Sequence, residues 1–254
     1  MKKLMFILSI IGISVLMSSC LKEGDRSFSG NYLAYVTQDK TSKTIFARAF
    51  GYQAGGSLYY QGAMASPKLK DYRPGYWAFI GCSWSEQNGM LEGSNGTIYN
   101  VQMTSDPIIL PSSVLHVEAA PVIEKPISFL LMSPIYDQKV KDNYFDNKWL
   151  FPYQCKIKKG EEAVLEFYFD SKKDENKKDE ITIDIILGKK GTATGTTEEL
   201  KQHYTYIDFS LLRDKLNEIG GYNNQISVKF RFHKEGVSDP KPYISQGYLW
   251  SLKD

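Results

Sequence analysis

Apolar and polar residues alternate in several short segments of this 254-residue chain, and the alternation limits the folds open to it. In Ile226–Phe232 every second residue is Ile, Val or Phe, and Ser, Lys and Arg lie between them. Ile181–Leu187 likewise has an apolar residue at every second position. This period places the apolar side chains on one face of a strand. Because turn residues separate such runs at intervals of about 10 positions, the chain is predicted to be an all-β protein built of hairpins.

The first half of the chain has similar but shorter runs. Tyr32–Val36, Thr44–Phe50 and Tyr76–Ile80 are predicted strands. Gly93–Gly96 (Gly-Ser-Asn-Gly) is a predicted hairpin tip, because Asn-Gly readily adopts the positive φ angles that tight hairpin turns need. We expect residues 30–122 to form a small OB-like β-barrel.

Prolines at positions 107, 111, 121 and 126 flank the segment Val114–Glu118. Because proline cannot donate a hydrogen bond to a sheet ladder, this segment is confined to a sheet edge or a connection. We place a domain boundary between residues 122 and 123. Residues 123–254 predict a β-sandwich.

One short helix is predicted within this second domain. Leu212, Leu216 and Ile219 fall on one stripe at helical spacing. Ser210 is placed to cap the first turn, and Gly220 follows the last residue of the stripe, where glycine commonly ends a helix.

Residues 1–19 have the layout of a secretory signal peptide. The basic residues Lys2 and Lys3 precede an uncharged, mostly apolar run that ends at Met17. This run is shorter than the roughly 20 residues that a transmembrane helix needs. A buried N-terminal helix is the alternative, but the basic head and the small residues before Cys20 favour export. We therefore expect residues 1–19 to be removed.

The stretch Leu16–Cys20 (Leu-Met-Ser-Ser-Cys) resembles a bacterial lipobox. In that motif the cysteine thiol is acylated and the chain is then cut just before it, so Cys20 is the predicted lipid-attachment residue. A single acyl chain gives only marginal membrane binding, and the resemblance implies a triacyl, palmitate-type anchor. Residues 20–29 form the predicted tether. The predicted location is the outer membrane, on its periplasmic or its cell-surface face.

The charge balance argues against nucleic acid as a partner. The full chain has 31 Lys and Arg against 29 Asp and Glu, and without Lys2 and Lys3 it is formally neutral. Nucleic-acid binding depends on a clustered cationic surface. We therefore expect the membrane to be a partner through the lipid anchor, and no nucleic acid.

Cys82 and Cys155 remain once Cys20 is assigned to the lipid. An oxidising compartment permits a disulfide between them, but their apolar and aromatic neighbours favour two buried thiols. The chain has no Cys-x-x-Cys and no Cys/His cluster. No metal site and no cofactor are therefore predicted.

The sequence carries no recognised catalytic motif. His116, His203 and His233 have no partner at metal-ligand spacing, and Gly81–Ser85 lacks the closing glycine of a serine-hydrolase elbow. We assign no catalytic residue and expect no enzyme. A carboxylate pair for glycoside hydrolysis could nevertheless come from many combinations of 29 acidic residues, so a glycan-acting hydrolase stays open as an alternative.

Nine aromatic residues lie between Phe50 and Trp84, both included. Exposed tyrosine and tryptophan side chains can stack on sugar rings or anchor a protein partner. Tyr76, Trp77 and Trp84 are therefore candidate ligand-stacking residues, with a glycan or an envelope protein as partner. Packing in the core is the alternative, and it is favoured for most of the nine.

A lipobox-like start followed by two β-rich halves resembles the NigD-like lipoproteins. Val114–Glu118 leading into Ile127–Leu131, together with Tyr206–Leu212, carries the likeness. The resemblance implies an OB-like domain followed by a sandwich, with no established enzymatic activity. The leading hypothesis is a non-catalytic cell-envelope lipoprotein with a binding or scaffold role. The alternatives are a glycan-acting hydrolase or carbohydrate-binding accessory, and a pilus-like adhesin subunit.

Overall fold

The computed structural model describes residues 26–39, 42–52, 58–93, 96–136, 145–172, 178–236 and 241–252. Their strands form three sheets, and Ser210–Ile219 (α1) is the one α-helix in these ranges. The predicted all-β class with one short helix is therefore confirmed. The predicted signal peptide and Cys20 lie outside the described residues. No helix in the described ranges has the length and apolar character needed to cross a membrane.

Sheet A is built from the first half of the chain. Its strands are β1 (Ser27–Gln38), β2 (Ile45–Tyr52), β3 (Leu58–Ala65), β4 (Tyr76–Ser85), β5 (Met90–Gly93), β6 (Gly96–Asn100), β7 (Gln102–Met103) and β8 (Ile108–Ile109). They lie in the order β5-β6-β3-β2-β1-β4-β7, and β8 also pairs with β4. The strand β1, which begins within the predicted tether, is an interior strand between β2 and β4. The antiparallel pairing of β5 with β6 extends to Gly93 and Gly96, and Ser94 and Asn95 of the predicted hairpin tip lie outside the described residues.

Sheet A is open, and the predicted barrel does not close. Among the described residues no pairing joins β5, at one end of the sheet, to β7 and β8 at the other. To close the barrel, β5 would have to pair with β4 at the far end of the sheet. That edge of β4 is already paired with β7 and β8. Pro107 and Pro111 flank β8 and keep it short, because proline cannot donate to the ladder.

The central strands of sheet A have both faces covered, so Leu33–Val36 is buried without a break. One face, the packed face, carries Leu33, Tyr35 and Trp77 and lies against the second half of the chain. The opposite face, the cleft face, has a separate buried cluster. Leu69, from a short 3-10 helix at Pro67–Asp71, packs within that cluster.

The second half of the chain forms two further sheets. Sheet B consists of β9 (Ser112–Ser113), β11 (Leu130–Leu131), β12 (Lys148–Lys158) and β15 (Glu198–Asp208). Sheet C consists of β10 (Leu115–His116), β13 (Glu162–Tyr168), β14 (Glu180–Lys190), β16 (Gln225–Phe232), β17 (Tyr243–Ile244) and β18 (Tyr248–Ser251). Their inner faces share one core, in which the Phe151 ring of sheet B lies 4.9 Å from Phe167 and 5.1 Å from Phe230 of sheet C. Sheet C includes the parallel pairs β14–β16 and β10–β13, whereas the sheets of immunoglobulin-type sandwiches are antiparallel.

The alternating segments that predicted strands are confirmed in sheet C. In β16 the apolar residues are buried, and Lys229 and Arg231 point away from the core. These cations pair with acids of the adjacent strand: Lys229 Nζ lies 2.6 Å from Glu180 Oε2, and Arg231 binds Asp184 through two nitrogens. The alternation therefore encodes both the buried face and the charged outer face.

The predicted helix is confirmed, but two of its details are wrong. Ser210 is the first helical residue and not the cap; its N–H donates to Asp208 Oδ1 at 2.9 Å. Ile219, at the last turn, is 45% exposed. The buried stripe consists of Leu212, Leu216 and Arg213, because the Arg213 guanidinium donates to the Ser251 carbonyl at 2.9 Å and lies over the Trp250 ring.

One short segment, Ile108–His116, takes part in all three sheets, and we call it the connector. Its β8 pairs with β4 of sheet A, β9 pairs with β15 of sheet B, and β10 pairs with β13 of sheet C. Thr205 Oγ1 also donates to the Pro111 carbonyl at 3.0 Å. Both β9 and β10 lie before the boundary predicted at residues 122 and 123.

A tight turn at Phe145–Lys148 fixes the second half against the packed face of sheet A. Asp146 and Asn147 both have positive φ, 46° and 64°, and the Lys148 N–H donates to the Phe145 carbonyl at 2.7 Å. Asp and Asn are the non-glycine residues that best tolerate this conformation. The turn brings Asp146 Oδ2 to 2.9 Å from the Tyr35 hydroxyl, which donates to it.

Candidate functional site

The three aromatic residues singled out from the sequence lie on different faces of β4. Trp77 is fully buried on the packed face, and its ring centroid lies 5.3 Å from Tyr35 and 5.0 Å from Phe145. Its indole N–H donates to the Lys148 carbonyl at 2.9 Å. Trp77 therefore packs between the two halves of the molecule, as the core-packing alternative describes.

Tyr76 lies on the cleft face and is 8% exposed. Its hydroxyl has no hydrogen-bond partner among the described residues. Burial, together with the nearby Tyr72 hydroxyl, raises the pKa of Tyr76 to about 12. The phenol is therefore neutral at physiological pH and has little surface to offer a ligand.

Trp84 borders an open cleft of about 620 Å³ at one end of the cleft face. This volume is within the range of ligand pockets in proteins. We call it the aromatic cleft. Its lining residues are Arg26, Ser27, Phe28, Tyr32, Gly62, Met64, Trp84, Glu86, Met90 and Tyr99.

The rings of the aromatic cleft hold one another in fixed orientations. Phe28 stacks on Trp84 with the ring centroids 5.5 Å apart. Tyr99 meets both rings edge-on, at 5.0 Å from Trp84 and 5.7 Å from Phe28. The Trp84 indole N–H donates to the Gly89 carbonyl at 3.0 Å. Such edge-on and stacked contacts are favourable aromatic geometries, so the cleft is formed before any ligand binds.

Strand register explains why these residues meet. Phe28 of β1 is paired directly with Trp84 of β4 in the antiparallel ladder, and Tyr99 lies beside Met64 in the parallel pair of β6 with β3. Gly62, next to the bulge between β2 and β3, has a φ of 150°. A side chain there would meet the Tyr99 ring at 3.4 Å, so glycine keeps the cleft floor open.

The charges at the rim of the aromatic cleft are balanced. Arg26 Nε lies 4.0 Å from Glu86 Oε1, and both side chains are largely exposed. An exposed ion pair of this kind contributes little to stability. The two charges therefore leave the cleft entrance close to neutral.

A second, polar space adjoins the aromatic cleft, and we call it the polar groove. It encloses about 730 Å³ and is lined by Ser27, Phe28, Ser29, Ser83, Trp84, Ser85, Gln87, Asn88 and Gln102. Asn88 Oδ1 accepts hydrogen bonds from the N–H and the hydroxyl of Ser85, both at 2.9 Å. Ser27, Phe28 and Trp84 line both spaces, so the two spaces are neighbours.

Trp84 lines the cleft but is only 6% exposed, so it offers little surface, and sequence reasoning missed Phe28, Tyr32 and Tyr99. Phe28 fell inside the predicted tether, although β1 begins at Ser27. The alternation of Phe28 with Ser27 and Ser29 was the available signal that the strand starts early. Tyr99 had no local signal, because it reaches the cleft only through the pairing of β6 with β3.

None of the three histidines lines either space, and neither does Cys82 or Cys155. Among the described residues no group of three or more His, Cys, Asp or Glu could hold a metal ion. His116 stacks on Tyr168, and His203 stacks on Tyr153, where burial lowers the His203 pKa. Cys82 and Cys155 are both free, fully buried thiols.

The comparisons with known proteins bear on the fold. No family model matches the chain, and no curated protein matches it. Among solved structures, an uncharacterized protein from Parabacteroides merdae is similar with a TM-score of 0.55 and 12% identity, over 89% of this chain and 100% of that one. At this identity the likeness shows the fold alone.

Two looser matches come from Bacteroides. A candidate lipoprotein from Bacteroides fragilis has a TM-score of 0.45 and 9% identity, over 90% of this chain and 99% of that one. A NigD-like immunity protein from Bacteroides caccae has a TM-score of 0.44 and 10% identity, over 87% of this chain and 96% of that one. Similarity this loose does not establish a shared fold.

Proposed function

We propose that this chain is a non-catalytic, lipid-anchored binding protein of the bacterial cell envelope, and that the aromatic cleft is its binding site. The observation that carries the proposal is the cleft itself. Aromatic side chains that are fixed by one another surround an open space, and the charges at its rim are paired. Pockets that bind ligands combine apolar walls with a few polar groups in this way.

The position of the cleft relative to the predicted anchor supports a role at the membrane surface. Arg26 and Ser27, at the start of β1, line the cleft. Arg26 follows Cys20 by six residues, and six residues of extended chain reach at most about 21 Å. An anchor at Cys20 therefore keeps the cleft close to the lipid headgroups.

Membership of the NigD-like lipoproteins and location at the outer membrane belong to the same proposal. Both rest on the lipobox-like stretch Leu16–Cys20 and on two β-rich halves in one chain. Cys20→Ala removes the acylated thiol, so we expect the protein to leave the membrane fraction. Persistent membrane association of this variant, measured by fractionation and immunoblotting, would contradict the lipid anchor.

The cleft is tested separately with an apolar fluorescent probe, anilinonaphthalene sulfonate, on the soluble chain that begins at residue 21. We expect saturable enhancement of the probe fluorescence that Phe28→Ala weakens, because Phe28 stacks on Trp84 and lines the cleft. The matched control is Tyr243→Ala, since Tyr243 is a partly exposed aromatic residue of sheet C. Equal loss of binding in both variants, or in neither, would rule out the cleft as the binding site.

A further inference from the structure

We propose that the aromatic cleft and the polar groove together bind one neutral oligosaccharide. This inference rests on the proposed binding function and names the class of ligand. The two spaces share Ser27, Phe28 and Trp84. An elongated ligand that lies in one space can therefore continue into the other.

The two spaces offer the two kinds of contact that a sugar needs. A pyranose ring has apolar C–H patches on its faces and hydroxyl groups around its edge. The rings of Phe28, Tyr32 and Tyr99 are partly exposed and line the cleft, so they can contact the apolar patches. The groove supplies serine hydroxyls and glutamine amides, which donate and accept hydrogen bonds as sugar hydroxyls do.

Three groove side chains are available to a ligand. Within the ranges that the structure describes, the side chains of Ser83, Gln87 and Gln102 form no hydrogen bond with the protein. Gln87 and Gln102 are exposed, and Ser83 is paired with Gln102 in the ladder between β4 and β7. Their polar groups can exchange water for ligand hydroxyls without breaking an internal contact.

The charge distribution favours a neutral ligand. Among the residues that the structure describes, Arg26 and Glu86 are the charged residues that line the cleft, they lie 4.0 Å apart, and no charged residue lines the groove. An acidic sugar would meet a cation that Glu86 already offsets. An acyl chain would fill the aromatic cleft but would gain nothing from the hydroxyls and amides of the groove, which would keep their water.

The test uses the full-length protein reconstituted in phospholipid nanodiscs and isothermal titration calorimetry. The neutral probes are pentasaccharides of glucose, mannose, xylose and N-acetylglucosamine, and the acidic probe is a pentamer of galacturonic acid. We expect a neutral probe to bind, with roughly tenfold weaker affinity in Phe28→Ala. In Gln102→Ala we expect a loss of roughly threefold. Tyr243→Ala, in sheet C, should bind as the unchanged protein does.

The inference is overturned if no neutral probe binds, if the galacturonate pentamer binds more tightly than every neutral probe, or if neither Phe28→Ala nor Gln102→Ala weakens binding. Gln102 is exposed in a two-residue edge strand, so its variant keeps the test valid if Phe28→Ala misfolds. Failure with sugars while anilinonaphthalene sulfonate still depends on Phe28 would leave the proposed binding function standing. If the sugars do not bind and the probe does not depend on Phe28, both the oligosaccharide inference and the proposed binding site are wrong.

Discussion

The two faces of sheet A are both rich in aromatic residues, but within the described ranges the rings of the packed face are covered and those at the end of the cleft face border open space. On the packed face, the Phe145 ring and the Phe145–Lys148 turn cover Tyr35 and Trp77, and both side chains donate hydrogen bonds to that turn. At the end of the cleft face, Phe28 and Trp84 contact each other and border open space. The number of aromatic residues on a face does not show whether the face is core or binding site. The residues that pack over each ring decide it.

The largest test of this comparison is the loss of one ring from each face. Trp77→Ala should lower the free energy of unfolding by about 3–5 kcal/mol, because the cavity lies between the two halves and cannot collapse easily. Phe28→Ala should cost only about 1–2 kcal/mol, since Phe28 is partly exposed and borders space already open. Urea unfolding of both variants measures the difference. Equal losses would contradict the distinction between the faces.

The second test fills the floor of the cleft. Gly62→Ala should cost about 1–3 kcal/mol, because a φ of 150° is a conformation that other residues rarely adopt. The added methyl group would also lie 3.4 Å from the Tyr99 ring and narrow the cleft. The matched control is Gly30→Ala in β1, where φ is not positive and the methyl group would meet the Tyr32 hydroxyl at the same distance. An equal fall in the midpoint temperature of thermal unfolding in both variants would show that Gly62 has no special role.

The third test sharpens the comparison through pH. Burial, assisted by the Asp146 carboxylate, raises the pKa of Tyr35 far above its usual value. The unfolded chain loses the Tyr35 proton near pH 10, while the folded chain keeps it. The contribution of Tyr35 to the free energy of unfolding is therefore complete below about pH 10 and is lost as the pH rises. By about pH 11 the total loss is about 1.4 kcal/mol for one tyrosine.

Tyr35→Phe removes this contribution, so its stability should fall less steeply than that of the unchanged protein over the same alkaline range. The measurement is urea unfolding at a series of alkaline pH values. Tyr204→Phe is the control, because Tyr204 lies at the edge of the same packed cluster and is partly exposed. A slope unchanged by Tyr35→Phe would mean that Tyr35 ionises normally in the folded protein.

Local patterning predicted the strands well because it encodes which face is buried. The period of Ile226–Phe232 and of Ile181–Leu187 corresponds directly to burial in β16 and β14. The same period could have assigned two of the candidate aromatic residues to opposite faces of the sheet. Trp77 and Trp84 are an odd number of positions apart on β4, so they point to opposite faces of sheet A.

The open sheet and the aromatic cleft could not be predicted in the same way, because both depend on pairings between distant segments. Nothing near Phe28 indicates that it will lie opposite Trp84, and nothing near Tyr99 indicates a parallel neighbour in β3. The exposure of Ile219 is similar: helical spacing places it on the buried stripe, but the last turn of α1 leaves it exposed.

The interior position of β1, between β2 and β4, has a mechanical consequence. Arg26 leads directly into this strand, which is paired on one side with β4 from its first residue and on the other with β2 from Leu33 onward. A pull on that end of the chain loads the ladder in shear, so that many hydrogen bonds must break together. If the pull acts between a membrane anchor and a ligand in the aromatic cleft, only the first residue pairs of the β1–β4 ladder carry the load. The three-sheet body beyond the cleft would then carry almost no tension.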